Sequence, residues 1–499
     1  MTVPRQSASS IPMEDQKSSD LHGIHAEKIS VHDEPSKNQG DYSGAAAKTD
    51  PTEIALVRKL DRRIMVLFHV PRRPILWAMY FLNYLDRNAL PQARLNTLEE
   101  DLNLKGVEYN TAISILFVGY LLMQVPSNMF MTRTRPSIYL SACMIGWAAI
   151  SACTATVTNY SGLVACRFFL GFVEAPFYPG ALYLLSIYYT RKELATRISL
   201  LYTGQVVSTG CSGLIAAATF STLDKAKGLS GWKWLFIIEG SVTALVAMFG
   251  FFLLPDDPSQ TRWLTVEERE LCIARIRRDT VGQKERGSTW EGLKQACKDP
   301  RTWLFCLMQN LHISACSFNN FFPTIIRSMG FKSTTALLLT APPYFVSGFL
   351  GIPFAWSSGH FNERTWHITG GLSLAVVGFV ISCATVDLAS RYTATFLYAT
   401  GAYSVGSVIL GWVSNTLSQT PEKKSVAYAL VNVTANLAYI YCAYLWPSSD
   451  DPKYMMGFSS MVGFAVGSIV CAWGMRAWLK RLNKNIRESE NETVAFYAY

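Results

Sequence analysis

Twelve apolar runs punctuate the chain, at about 74–94, 109–130, 137–157, 160–188, 198–219, 234–254, 301–326, 334–356, 367–388, 391–413, 425–447 and 454–479. Runs of roughly 18–25 apolar residues are long enough to cross a hydrocarbon layer as helices. In hydrocarbon every backbone polar group must be satisfied internally, which leaves helices as the only spanning structure this pattern allows. The fold class expected is an all-α membrane protein with twelve transmembrane helices. Composition agrees: half of the 499 residues are hydrophobic and 16% are charged, too apolar for a soluble chain of this length. Internal Pro, Gly or polar residues in the fourth, eighth and eleventh runs leave their shape open.

The runs group as six and six, which divides the chain into an N-terminal six-helix bundle (74–254), a central linker (255–300) and a C-terminal six-helix bundle (301–480). Residues 1–73 read as a largely disordered tail ending in a short basic amphipathic helix, because the first 50 are polar and almost free of aromatic residues. Residues 481–499 form a second tail. No apolar leader core sits near Met1, so the first span is expected to serve as the insertion signal. Lys and Arg set the orientation. The short loops carry eight on one side and seven on the other, too even to decide, but the side with eight also receives Arg58, Lys59, Arg62, Arg63, Arg72 and Arg73, ten more between Arg262 and Arg301, and Arg476, Lys480, Arg481, Lys484 and Arg487. Both termini and the linker are therefore expected in the cytoplasm. This bias accounts for the net charge of +9 without a nucleic-acid partner.

Within the linker, "TVEERELCIARIRRD" pairs Thr265 with Glu268 as a capping box. "STWEGLKQACKDP" reads as a second short amphipathic helix that can lie on the inner membrane face with Trp290 as anchor; the plainer reading is a simple connection between bundles. Eleven cysteines lack any CxxC spacing, and all but Cys272 and Cys297 fall inside spans, so they read as small buried hydrophobes. Asn159-Tyr160-Ser161 is a glycosylation sequon in a loop too short and too close to the membrane to expect its use. No metal-spaced cluster, nucleophile motif or phosphate loop is evident, so neither an enzyme nor a metal or cofactor site is expected.

Ionisable groups inside spans carry the functional signal, because burying them in hydrocarbon is costly. "LNYLDRNAL" places Asp86, Arg87 and Asn88 midway along the first span. Consecutive helical residues point about 100° apart, so Asp86 and Arg87 can face different partners; the alternative is a structural pair locking two helices. In the fourth span Arg167 and Glu174 lie two turns apart on one face, and Pro176, Pro179 and Gly180 follow and are expected to break or kink the helix. Arg167 can instead snorkel toward the interface. Arginine presents a planar fork that matches a carboxylate, and buried carboxyls can load and release protons. Asp86 and Glu174 are therefore the proton-coupling candidates, and Arg87 and Arg167 the anion ligands. Further substrate-contact candidates are Asn88, Tyr120, Gln124 and Gln205 in the first half, and His312, Asn319, Asn320, Tyr344, Tyr403, Asn432 and Asn436 in the second. Most of the latter can equally serve as interhelical glue. Phe321 and Phe322 are open to two readings, lipid contact or a stacking wall for an aromatic solute, and Glu239 reads as a helix tie.

These segments resemble the major facilitator superfamily, and more narrowly the fungal allantoate permease group of the anion:cation symporters. The resemblance rests on "YLDRNALPQARL" (84–95), "GYLLMQVPSNMF…RTRPSIYL" (119–140), "RFFLGFVEAPFYPGALYLLSIYYTRKELATR" (167–197) and "GWKWLFIIEG…FFLLPDDPSQTRWLTVEE" (231–268), and continues more weakly through "FFPTIIRSMGF" (321–331). It implies alternating access around a midplane site and proton-coupled uptake of organic anions such as vitamins, ureides and small peptides. It also implies a coupling and anion-binding network at Asp86, Arg87, Arg167 and Glu174. The chain departs from the pattern at Ala89, where many relatives carry Asn. It departs again in the loop after the second span, where Pro126, Ser127, Asn128, Arg133 and Arg135 stand without the usual Asp. The fifth span, "GQVVSTGCSGLIAAA", lacks the Gly-Pro feature of drug antiporters, which favours symport. The expectation is a monomeric, proton-coupled importer of a small organic anion at the fungal plasma membrane. Its rivals are an exporter of an acidic metabolite and a nutrient sensor that does not transport.

Overall fold

A computed structural model of the chain describes residues 50–64, 75–131, 134–261, 263–280, 289–417 and 420–489. The expected disordered tail before residue 50 and Arg72, Arg73 and Arg133 lie outside the described residues. The helices in chain order are α1 (Pro51–Ile64), α2 (Ile75–Ala93), α3 (Leu98–Asp101), α4 (Glu108–Met131), α5 (Pro136–Thr154), α6 (Tyr160–Glu174), α7 (Phe177–Tyr188), α8 (Arg191–Leu223), α9 (Gly231–Leu253), α10 (Val266–Thr280), α11 (Thr289–Lys298), α12 (Pro300–Ala315), α13 (Phe322–Arg327), α14 (Ser333–His360), α15 (Thr365–Ala384), α16 (Leu388–Thr416), α17 (Pro421–Cys442) and α18 (Met455–Ser489). No strand occurs among the described residues. Among the described residues nine helices, counting α6 and α7 as one, are long and apolar enough to cross a membrane. With α2, α4 and the pair α12–α13 they fill the two sixes.

Within the first half α2 packs on α8 and α9, α4 on α6, and α5 on α9 and α6; the second half repeats this with α12 on α17 and α18, α14 on α16, and α15 on α16 and α18. The halves meet along α8 against α14 and α4 against α17. Close approach there requires glycine: a Cβ on Gly213 of α8 would lie 2.4 Å from the carbonyl oxygen of Leu337 in α14. We call the end of the bundle that carries α1, α10 and α11 proximal and the other distal. At the distal end Asn110 donates to the carbonyl of Ala443 at 2.7 Å, Tyr444 shares hydrogen bonds with Thr111 and Ser114 at 3.1 and 3.3 Å, and Phe117 stacks on Tyr439 at 4.4 Å.

The structure gives the shape of the spans that the sequence left open. Pro176 and Pro179 only kink the fourth span, since Ala175 and Pro176 keep right-handed helical angles. The eighth span stays one helix through Pro342, Pro343 and Pro353, and the eleventh is also continuous. The interruption falls in the seventh instead, where α12 gives way to a 3-10 turn at Ser317–Phe321 before α13. Phe321 and Phe322 are buried there, against Trp446 and against Tyr344 and Tyr398, so neither reading of them as lipid contact or solute wall holds.

The linker divides between the two halves. The capping box forms, with Thr265 N donating to Glu268 Oε2 at 2.9 Å and Glu268 N to Thr265 Oγ1 at 3.2 Å. Arg275 of α10, 1% exposed at its side chain, pairs with Glu53 of α1 and Glu193 of α8, each at 2.6 Å. At the other end Asp299 caps α12, pairs with Arg301, and receives Lys423 Nζ of α17 at 2.6 Å. These two cations hold the Asp299 carboxyl down at about 2. α10 is thus fixed to the first half, and α11, which packs on α17, to the second.

Candidate functional site

Tyr80, Asn83, Tyr84, Arg87, Asn88 and Pro91 recur at three- and four-residue steps along α2, so they share one face. That face lines a cavity between the halves with ≈ 1110 Å³ of empty space, part of it open solvent. The first half adds Phe117 and Tyr120 of α4, Arg167 of α6, Tyr178 of α7, and Tyr202 and Gln205 of α8. The second half contributes Gln309 and Ile313 of α12, Asn319 and Asn320 of the 3-10 turn, and Tyr428, Asn432, Asn436 and Tyr439 of α17. All the charge on this wall comes from one half; the other presents carboxamides and phenols.

Asp86 and Arg87 diverge as their 100° offset requires. Arg87 Nε donates to Glu174 Oε1 in a short ion pair, and the rings of Tyr84 and Tyr120 flank its guanidinium at 5.1 and 4.7 Å. Asn83 Nδ2 also donates to Glu174 Oε1, at 2.6 Å. Asp86 turns instead into the interior of the first half, where it accepts hydrogen bonds from Ser151 at 3.0 Å and Thr243 at 3.4 Å. Glu239 lies within electrostatic range of it, buried, with Oε2 unpartnered. Asp86 and Arg87 thus do not pair with each other, and the ion pair that joins α2 to a neighbouring helix is Arg87–Glu174.

Arg167 does not snorkel. It is 3% exposed, lines the cavity, and its Nε and Nη1 have no partner. Its helix is held close to α4 by Gly171, where a Cβ would lie 1.9 Å from the carbonyl oxygen of Leu116. A buried guanidinium with donors to spare, next to an already neutralised Arg87–Glu174 pair, can bind an anion by a bidentate hydrogen bond.

The cavity wall unites Arg87, Asn88, Tyr120, Arg167, Gln205, Asn319, Asn320, Asn432 and Asn436, with Glu174 joined through Arg87. Gln124, His312, Tyr344 and Tyr403 are not on it. His312 Nε2 meets the carbonyl of Ala402 at 2.9 Å, and so faces α16. Tyr344 donates to Asn319 Oδ1 at 2.5 Å with Tyr403 packed behind it at 5.8 Å, so this pair supports the wall from outside. Asn83, Tyr84, Tyr178, Tyr202, Gln309, Tyr428 and Tyr439 are lining residues that sequence reasoning missed. The signal available for the α2 members was the helical spacing from Tyr80 to Pro91, and for Gln309 its four-residue step to Ile313. No group of three His, Cys, Asp or Glu able to hold a metal occurs among the described residues.

Residues 76–443 match the profile of the Major Facilitator Superfamily. The chain is 32% identical over 444 residues to an uncharacterized transporter of Schizosaccharomyces pombe, covering 88% of this chain and 89% of that one. It is 30% identical over 444 residues to the major facilitator-type transporter hxnP of Emericella nidulans, covering 87% of each. Among solved structures, a bacterial homolog of the human lysosomal transporter Spinster, inward-facing and occupied, superposes with a TM-score of 0.63 at 17% identity, over 80% of this chain and 94% of that one. The nucleoside transporter NupG superposes at 0.56 and 13% identity, over 81% and 98%. Transporters thus share both its sequence and its fold, and the chain is a multi-pass membrane protein that belongs to the Major Facilitator Superfamily.

Proposed function

We propose that the protein is a proton-coupled symporter of a small organic anion, of the anion:cation symporter type and its allantoate permease-like group, working by alternating access. The observation that carries this reading is Arg167: buried, on the cavity wall, with unpartnered guanidinium nitrogens beside an Arg87–Glu174 pair. The substrate carboxylate docks on Arg167. A proton on Glu174 dissolves its pair with Arg87 and releases a second guanidinium to the anion, so proton and anion favour each other's binding. Asp86, in electrostatic range of Glu174, is the other carboxyl on the path of that same proton. Release of both restores the Arg87–Glu174 pair.

The contacts that join the halves at the distal end support a state whose cavity is sealed on that side. With both termini in the cytoplasm, as the Lys and Arg bias favours, that side is outer, and the plasma membrane of a fungal cell is the proposed location, with the monomer as the working unit. The testing experiment is uptake of radiolabelled vitamins, ureides and organic acids into cells lacking their own carriers, at pH 5 and 7. The reading expects one or more anions to accumulate faster at pH 5 and Arg167→Gln to abolish it. Net loss of label from preloaded cells, without uptake, would favour an exporter; saturable binding without flux would favour a sensor.

A further inference from the structure

Among the described residues, two side chains on the cavity wall carry buried polar atoms with no partner, Arg167 and Gln309. They belong to opposite halves. Gln309 is 4% exposed, and its Oε1 is an acceptor without a donor. It shares the cavity-facing stripe of α12 with Ile313, one turn on, and α17, which packs on α12, lines the same cavity with Asn432 and Asn436. Asn436 Nδ2 is already directed to Asn432, to its carbonyl at 2.8 Å and its Oδ1 at 3.4 Å. Asn319 Oδ1 is likewise taken, by Tyr344.

A buried carbonyl left without a donor is costly, and a solute that displaces water from it must replace the lost hydrogen bond or bind weakly. We propose that Gln309 is a specificity-determining residue, accepting an N–H or O–H from the end of the solute remote from its carboxylate. This rests on the reading of Arg167 as the carboxylate ligand. The preferred solute is then an anion at one pole and a hydrogen-bond donor at the other, held by one half at each end. Monocarboxylates with an apolar or acceptor-only far end bind less well.

The test uses matched acids that differ only in a terminal NH2 or CH3: succinamate against levulinate, and the homologous pairs with one to three more methylene groups. Inhibition of labelled uptake and thermal stabilisation of the purified full-length carrier are both read. At the best-fitting length the amide acid is expected to bind at least ~10-fold tighter, since a site built around a buried hydrogen bond rejects the analogue lacking it. Gln309→Leu should bring the two members within about threefold by weakening the amide acid alone, and Gln309→Met is the second variant should Leu not fold. No amide preference at any length, a preference that survives both variants, or equal weakening of both members would overturn the assignment. Equal binding of neutral succinamide and succinamate, or unchanged binding of both acids to Arg167→Gln, would instead strike at the carboxylate reading and leave Gln309 to be judged on the amide comparison.

Discussion

On the proposed proton–anion symport, Glu174→Gln should separate the proton from the anion. With Glu174 ionised, the fixed charges facing the cavity are those of Arg87, Glu174 and Arg167, which come to +1. A monoanion and one proton arriving together leave that sum unchanged, so the loaded and empty carriers would have the same site charge and the proposed symport would be electroneutral. A gradient of two pH units then drives at most about 100-fold accumulation, tenfold per unit. In Glu174→Gln the cavity offers the proton no carboxylate, since Asp86 is turned into the interior of the first half, and Arg87 loses its anionic partner. The accumulation ratio should fall to about 1, while exchange of external label for internal substrate continues and no longer depends on pH. Proteoliposomes with a clamped membrane potential measure all of these quantities. Accumulation above about tenfold in the variant, or a wild-type ratio that follows the membrane potential, would refute this reasoning.

Further outcomes follow from other parts of the molecule. Asp86→Asn should lower the accumulation ratio in the same assay; an unchanged ratio removes Asp86 from coupling. Gly171→Ala should push α6 away from α4, because its Cβ would meet the Leu116 carbonyl, and uptake should be lost together with several degrees of melting temperature in detergent. Arg275→Met leaves Glu53 and the buried Glu193 without their shared cation, which should destabilise the fold by about 3–5 kcal/mol in thermal or denaturant unfolding. Asp299 has a folded-state pKa below its unfolded one, so its pairing stabilises above about pH 4 and is lost as pH falls toward 2. Asp299→Asn should therefore cost ~2 kcal/mol at pH 7, and its difference from wild type should shrink as the pH falls below 4.

The sequence alone revealed the helices and the charged residues because both carry a large energetic signature. A run of twenty apolar residues has few alternatives to a spanning helix, and a guanidinium in such a run needs a reason to be there. Arg87, Arg167 and Glu174 could be found on that ground. Neutral residues could not. A carboxamide in a span costs little, so Gln309 and His312, three residues apart on α12, look equally plausible, and only the rotation of α12 against α16 and α17 sends one to the cavity and the other to Ala402. Asp86 illustrates the same limit from the other side. Its cost in hydrocarbon marks it, but which of two neighbouring charges faces the cavity depends on where α5 and α9 sit. Prolines left shape open, because Pro342, Pro343 and Pro353 are accommodated within α14 while the seventh span is interrupted before Pro323.

The divided linker has a mechanical consequence. Because α10 is fastened to the first half and α11 to the second, the connection between them is reduced to the nine Cα steps from Thr280 to Thr289. A fully extended chain of that length reaches about 30 Å. That reach is a hard stop on how far the proximal ends of the two halves can separate, whatever occupies the cavity. The stroke of the carrier is thus bounded by covalent geometry on one face and by aromatic contact on the other.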